Sequence, residues 1–206
     1  GTGYKSKLRH DIMTSSDFNF RPVDLEFAPD GSLYIADWHN VLIGHMQHNA
    51  RDPLRDHVHG RIYRITYPSR PLVVPAKVAG ASVDELLNNL TLPEYRTRYR
   101  TRRELRAHPA SEVLPKLKTW VAQLDKTAPT YEKFLIEALW VSWGQNKVDQ
   151  DLLRQLLNAK DYRVRAAAVE VVRFNEKQLP DQANLLLNAA KDENSRVRLE
   201  AVVAAS

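Results

Sequence analysis

The chain has 206 residues, enough for one large domain or two small ones, and its 43% apolar and 27% charged residues are typical of a folded globular protein. It contains no cysteine, which excludes disulfides, thiolate metal sites, cysteine nucleophiles and c-type haem attachment within this chain. The net charge of +5 permits an acidic partner but is modest for a nucleic-acid-binding protein, and no apolar run approaches the roughly 20 residues that a membrane-spanning helix needs.

The first third of the sequence has the alternation of β-strands. Two alternating segments, 24–28 and 32–36, flank Pro29-Asp30-Gly31, whose fixed proline φ and permissive glycine suit a tight reversal. This pattern predicts a β-hairpin. A third alternating segment at 61–66 predicts another strand, so residues 1–66 are expected to form a small antiparallel sheet.

The predicted loop from Asp37 to Gly60 is long for a compact domain, and such loops are often functional. It holds five of the seven histidines in the chain: His39, His45, His48, His57 and His59. Neutral imidazole is a good base and a good metal ligand near neutral pH. No His-Glu-x-x-His or comparable template is present, so no metal is predicted. The alternative is that these side chains only hydrogen-bond the loop to itself.

The segment from Tyr67 to Pro75 contains three prolines and predicts an extended linker, with residues 67–81 as the boundary between two domains. Beyond it the apolar period changes to about 3.6. Ser82 to Glu85 has the pattern of a capping box that opens a helix. Further helices are expected at about 93–107, 111–124, 130–143, 149–158, 162–174, 178–190 and from 195 onward.

These predicted helices repeat. The sequence from Asp161 to Val169 recurs from Asn194 to Val202, and an earlier copy begins at Glu94. Recurrence at 30 to 40 residues is typical of stacked helical pairs, and the Arg-Val-Arg opening resembles HEAT repeats. Residues 82–206 are therefore predicted to form an α-solenoid of HEAT-like repeats, truncated in the last repeat. The fold class is α+β.

Six arginines follow one another closely between Arg96 and Arg106. At 100° per residue they spread over more than half of a helix circumference, so they form no narrow basic stripe for nucleic acid. A solvated face with salt bridges between repeats is expected instead. The recurrent Asp161-x-Arg163-x-Arg165 pattern is interpreted in the same way, as a ladder that links adjacent repeats.

The segments RPVDLEFAPDGSLYIADW, HNVLIGHMQHNARDP and RDHVHGRIYRITY resemble the last propeller blade of the membrane-bound dehydrogenase family of planctomycete-type bacteria. The resemblance continues through the linker to YRVRAAAVEVVRF and SRVRLEAVVAAS. It implies relation to sugar dehydrogenases that use pyrroloquinoline quinone (PQQ), with a β-propeller, then helical repeats, then a haem domain. Because this chain has no cysteine, haem is expected only on a separate domain or chain. The resemblance also implies a periplasmic or secreted location and association with a membrane.

In such dehydrogenases, cofactor and sugar lie on the face of the propeller where loops supply a base histidine and cofactor-binding arginines. By resemblance, the catalytic candidates are His57 and His59, and the alternative is a base histidine supplied by another blade. The candidates for binding the cofactor or substrate are Trp38, His39, Asn40, His45, Arg51 and Arg55. The reaction implied is removal of a hydroxyl proton by histidine as hydride passes to the quinone, with a sugar or alcohol as substrate.

Two hypotheses stay open. In the first, the chain is a segment of such an oxidoreductase, whose remaining blades and haem domain, or other subunits, pack around it. In the second, it is a non-catalytic HEAT-repeat scaffold for protein partners. A nucleic-acid-binding solenoid is the third hypothesis, and the spread of the arginines around the helix argues against it. An isolated blade leaves an edge and both faces uncovered. The residues from Val202 to Ala205 do not give the helical repeats a polar end. For these two reasons we expect the chain to be a fragment or subunit of a larger assembly.

Overall fold

The computed structural model describes residues 3–41 and 52–206. It contains two compact units. The first, called the sheet unit, is Ser6–Ala76. The second, called the helical unit, is Lys77–Ser206 together with the N-terminal residues up to Lys5. A small antiparallel sheet followed by helices confirms the predicted α+β class.

The described residues of the sheet unit form three strands in the order β1-β2-β3, all antiparallel. Their bounds are β1 Pro22–Phe27, β2 Leu33–Asp37 and β3 Arg61–Ile65. The predicted hairpin is present. Gly31 adopts a φ of +84°, which few other residues tolerate, and the Asp30 carboxylate accepts the backbone N–H of Ser32 at 2.9 Å.

Burial in the sheet is concentrated on the central strand β2, where Leu33 and Ile35 are buried. Their neighbours across the β1–β2 pair, Phe27 and Leu25, are exposed at the edge of the sheet. This edge strand therefore presents apolar side chains beside the small core. The Tyr67 to Pro75 linker contains no strand or helix, and Val73 N–H donates to the Asp30 carbonyl at 2.9 Å.

The helical unit contains these helices in chain order: α1 (Val83–Asn89), α2 (Tyr95–Leu105), α3 (Ala110–Ala122), α4 (Tyr131–Gly144), α5 (Gln150–Leu156), α6 (Tyr162–Arg173), a short 3₁₀ turn (Glu176–Gln178), α7 (Gln182–Ala189) and α8 (Ser195–Ala205). The capping box predicted from Ser82 and Glu85 is present. Asp149, Asp161 and Asn194 also accept backbone N–H groups at the starts of α5, α6 and α8, which explains why the chain becomes helical there.

The even-numbered helices pack on one another in chain order: α2 contacts α4, α4 contacts α6 and α6 contacts α8. The main core lies between these helices and their intervening partners. Its fully buried leucines include Leu86, Leu105, Leu135, Leu139 and Leu153. A smaller cluster that includes Ala166 and Ala201 fills the space between α6 and α8, where short side chains permit close approach.

One arginine conformation recurs in the helical unit. Arg98, Arg165 and Arg198 each donate from Nη1 to two backbone carbonyls, five and six residues earlier in the chain. Two of them also reach a later acidic residue: Arg98 Nε lies 2.8 Å from Glu137 Oε1, and Arg165 Nε lies 2.7 Å from Asp192 Oδ2. The predicted ion pairs between successive helical segments are therefore confirmed at these positions.

The prediction of a solvated arginine face is wrong for part of the run from Arg96 to Arg106. Arg98 is buried and Arg102 is largely so, and both guanidiniums contact the buried Glu137 carboxylate. The reason is that α2 packs on α4 through these residues. Arg163 also departs from the ladder expected for it, since it pairs with Asp161 at the start of its own helix.

Candidate active site

The candidate site lies where β2 ends and β3 begins, and the side chain that organises it is Asp37. Its Oδ1 atom accepts the backbone N–H of Arg21 at 2.7 Å and that of His39 at 2.9 Å. Its Oδ2 atom accepts the hydroxyl of Tyr63 at 3.3 Å. Asp37 is buried, so these bonds replace its hydration and fix the chain as it leaves β2.

His39 has an uncommon backbone conformation, with a φ of +55°. Histidine is among the few residues found there, and such positions often occur at functional sites. Its side chain is only 7% exposed, and Nε2 lies 3.4 Å from Asp56 Oδ2. Within the part of the chain that the structure describes, the buried Nδ1 atom has no hydrogen-bond partner.

Asp56 is the acceptor of a tight turn that leads into β3. Its Oδ1 atom accepts the backbone N–H groups of Val58 and His59, both at 2.9 Å. Its Oδ2 atom lies 2.8 Å from His59 Nδ1. The pKa of Asp56 is held far below its usual range, first by the Val58 N–H and then by the His59 N–H and imidazole.

The Asp56 contact determines what His59 can do. When Nδ1 donates to the carboxylate, the neutral imidazole carries its lone pair on Nε2. The side chain is 71% exposed, so a substrate proton can be transferred to it. The carboxylate also stabilises the imidazolium that forms. An Asp–His pair of this kind has the geometry of a general base with its orienting group.

A cation and an indole lie beside each other in the same unit. The guanidinium carbon of Arg55 is 5.9 Å from the centre of the Trp38 ring, and Trp38 is 44% exposed. Arg55 Nε is buried, and the described residues provide it with no hydrogen-bond partner. A planar, negatively charged group matches both features, since arginine binds carboxylates and indole stacks on flat rings.

Three further side chains support the start of β3. Arg61 Nη1 lies 2.5 Å from Asp17 Oδ2 and 3.4 Å from the Tyr63 hydroxyl. The Asn19 N–H and Arg61 together lower the pKa of Asp17, while the Tyr63 and Asp17 hydrogen bonds raise the pKa of Arg61. The Phe20 ring contacts Tyr63 edge to face. These bonds connect residues 17–21 to the strand that follows His59.

The structure brings together several of the residues singled out in the sequence. His39 and His59 share one carboxylate, and Trp38 lies against Arg55. Asn40 is buried next to His39. His57 is exposed and forms no hydrogen bond or ion pair with any residue between 3 and 41 or between 52 and 206, so its catalytic role stays a prediction. His45, His48 and Arg51 lie outside the described residues.

Two carboxylates of the site, Asp37 and Asp56, were not predicted from the sequence, because the predicted site contained no aspartate. Asp37 directly follows the alternating segment 32–36 of the sequence and is the last residue of β2. Asp56 stands three residues before His59, the spacing of a side chain that accepts N–H groups of the next turn. Both signals are local, and both are common in ordinary turns.

The described residues contain no cluster of three or more His, Asp or Glu side chains arranged to hold a metal ion. Among residues 3–41 and 52–206, each helix is too short or too polar to cross a bilayer.

Acid is expected to destabilise the sheet unit. The folded-state pKa values of Asp17, Asp30 and Asp56 are all lowered, so their contribution to stability is fully present above the unfolded pKa of about 3.9 and is lost as the pH falls through the folded values. The urea concentration at the midpoint of unfolding, measured from the Trp38 indole resonance, should decrease as the pH is lowered from 5 to 2.5. The Asp30→Asn variant should have a smaller pH dependence. An unchanged midpoint over this range would contradict the assignment.

Comparison with known proteins gives one match. Residues 1–69, a third of the chain, match a family model described as a domain of unknown function, DUF7133. The matched segment contains all three strands and the Asp56–His59 turn. Neither a curated protein nor a solved structure matches the chain.

Proposed function

We propose that the chain is a segment of a secreted or periplasmic oxidoreductase that removes hydrogen from a sugar or alcohol hydroxyl. The observation that carries this proposal is the Asp56–His59 pair, in which a solvent-exposed imidazole is oriented by a carboxylate. The sheet unit then forms one wall of the active site, and His59 is its general base.

The sheet unit is proposed to be the last blade of a β-propeller. In a propeller, each blade covers the apolar sides of its neighbours, so a single blade retains exposed apolar side chains. Val23, Leu25 and Phe27 of β1 are more than half exposed, which supports this proposal. The remaining blades would cover them, and the loops of those blades would complete the substrate site.

The proton transfer is derived from this chain's own residues. The Nε2 lone pair of His59 takes the hydroxyl proton, and Asp56 stabilises the positive charge that develops on the ring. The second hydrogen of the substrate leaves its carbon as hydride, and a quinone such as PQQ supplies the two-electron acceptor for it. His39, held on the same carboxylate, limits the movement of Asp56.

The residues present fit a quinone that carries carboxylates. Arg55 has a buried Nε without a partner among the described residues, and Trp38 offers an exposed flat ring beside it. Arg55 would bind a carboxylate, and Trp38 would contact the ring system. Both side chains would thereby place the acceptor near the end of β2.

The helical unit is proposed to be a HEAT-like solenoid that connects the propeller to an electron-accepting haem domain on another domain or chain. The recurrence of one arginine conformation at Arg98, Arg165 and Arg198 supports this proposal, because each stands at the same place in a repeating helix. Stacking of α2, α4, α6 and α8 supports it as well.

The test is the rate of PQQ-dependent dye reduction by the complete enzyme with a panel of sugars and alcohols. Replacing His59 with alanine should lower kcat by about 10²- to 10⁴-fold, the usual contribution of a general base. The His57→Ala variant is measured beside it for comparison, since His57 is exposed and forms no hydrogen bond or ion pair with Asp56 in the described part of the chain. Full activity of the His59→Ala variant would show that His59 is not the general base, and it would favour the scaffold hypothesis.

A further inference from the structure

A groove of about 340 Å³ crosses α2, α4 and α6 in the helical unit. Four aromatic side chains line it: Tyr95 and Tyr99 from α2, and Trp140 and Trp143 from α4. Tyr95 and Tyr99 stack with ring centres 6.4 Å apart, and Trp143 stacks on Phe174 at 5.8 Å. Tyr95, Tyr99 and Phe174 are each more than 40% exposed, so the groove presents flat apolar surface to solvent.

Buried charge fixes one wall of the groove. The Arg102 guanidinium is bound by the carboxylate of Glu137, which is 2% exposed, and it lies 4.7 Å from the centre of the Trp140 ring. The same guanidinium is 5.9 Å from the Tyr95 ring. The aromatic side chains are therefore held in place by cation–π contacts with an arginine that cannot easily move.

Two other arginines of the groove are available to a partner. Arg103 and Arg106 are exposed, and across residues 3–41 and 52–206 neither forms an ion pair. Gly144 makes room for Arg106, because a Cβ atom there would lie 3.1 Å from Arg106 Nε. The acidic residue lining the groove is Glu170. The groove thus combines unpaired positive charge with stacked aromatic rings.

We propose that this groove docks an acidic segment of a partner protein, in which carboxylates lie next to proline or aromatic side chains. The carboxylates would pair with Arg103 and Arg106, and the flat apolar residues would pack on Tyr99 and Trp140. Aromatic-lined grooves commonly bind extended proline-containing peptides, and arginine selects carboxylates. The proposal uses residues of the helical unit alone, so it does not depend on the redox function.

A protein segment fits better than single-stranded nucleic acid. A nucleic acid strand needs a continuous row of cations along its phosphates. The charges of Arg98 and Arg102 are already shared with Glu137, so they do not extend the positive charge of Arg103 and Arg106 into a continuous row. Only isolated guanidiniums remain, which suits one or two carboxylates.

The test uses three ligands. The first is an acetylated peptide that contains Glu-Asp-Pro-Phe twice, the second is the same peptide with lysine at every acidic position (the lysine twin), and the third is a thymidine octamer. Binding is followed on the indole N–H resonances of Trp140 and Trp143. We expect the acidic peptide to shift these two resonances, and Arg103→Glu/Arg106→Glu to weaken binding by about tenfold or more. The matched control, Arg100→Glu/Lys126→Glu, makes the same change in net charge on exposed residues outside the groove.

Any of three results would overturn the proposal. The first is no shift of either indole at millimolar acidic peptide. The second is nonspecific attraction, which would be shown by either of two comparisons. The control variant would lose as much binding as Arg103→Glu/Arg106→Glu, or the lysine twin would bind as tightly as the acidic peptide. The third is tighter binding of the thymidine octamer with the same dependence on Arg103 and Arg106, which would assign the groove to nucleic acid.

Discussion

Replacing Glu137 with alanine is expected to lower the free energy of unfolding of the helical unit by about 3–5 kcal/mol, the cost of breaking a buried ion pair by removing one partner. Glu137 is 2% exposed and binds both Arg98 and Arg102. Its loss would leave two guanidiniums largely buried without a carboxylate. Urea denaturation followed by far-ultraviolet circular dichroism measures the change.

The matched control for this prediction is Glu112→Ala. Glu112 is an exposed carboxylate of the same unit, 3.6 Å from Lys116 and 3.9 Å from His108. Exposed pairs contribute about 0–1 kcal/mol, so this variant should unfold almost as the parent does. Equal, small effects of the two substitutions would show that the buried cluster does not stabilise the packing of α2 on α4.

Under the proposed oxidoreductase function, replacing Asp56 with asparagine is expected to lower kcat by about 10²-fold, at the lower end of the range for acid–base catalysis. Asparagine can still accept a hydrogen bond from His59 Nδ1, but it carries no charge to stabilise the imidazolium. The measurement is kcat of the parent and of the variant at saturating substrate.

Asp52→Asn provides the comparison. Asp52 also accepts a backbone N–H, that of Leu54 at 2.8 Å, and it forms no pair with a histidine in the described part of the chain. Its substitution should leave kcat unchanged. The role given to Asp56 would be wrong if the two variants behaved alike.

The strands and helices were largely predictable because their signals are local. Pro29-Asp30-Gly31 determines a hairpin by itself, and Ser82 with Glu85 caps a helix whatever follows. The ends of most helices shifted by one or two residues, as at α3, where Pro109 is the N-cap and Ala110 the first helical residue. The start of α7 was predicted wrongly: it begins at Gln182, four residues after the predicted 178. The burial of Arg98 depended on Glu137, a residue 39 positions later, which no local pattern reveals.

The site was predictable only as a list of residue types. The sequence placed imidazoles and arginines in one segment, and the structure shows which of them share a carboxylate. His39 reaches Asp56 because Asp37 fixes the turn after β2. That arrangement requires β2 and β3 to be paired, since Asp37 and Arg61 stand opposite each other at the end of the sheet. Pairing of distant strands cannot be read from the spacing of histidines.

The most direct test of the central claim, that Asp56 makes His59 a base, is the ¹⁵N chemical shift of the two His59 ring nitrogens at a pH where the ring is neutral. We expect a proton on Nδ1, bound to Asp56, and an unprotonated Nε2, with this preference weakened in Asp56→Asn. A proton on Nε2 in the parent protein would contradict it, because His59 would then have no lone pair available to the substrate.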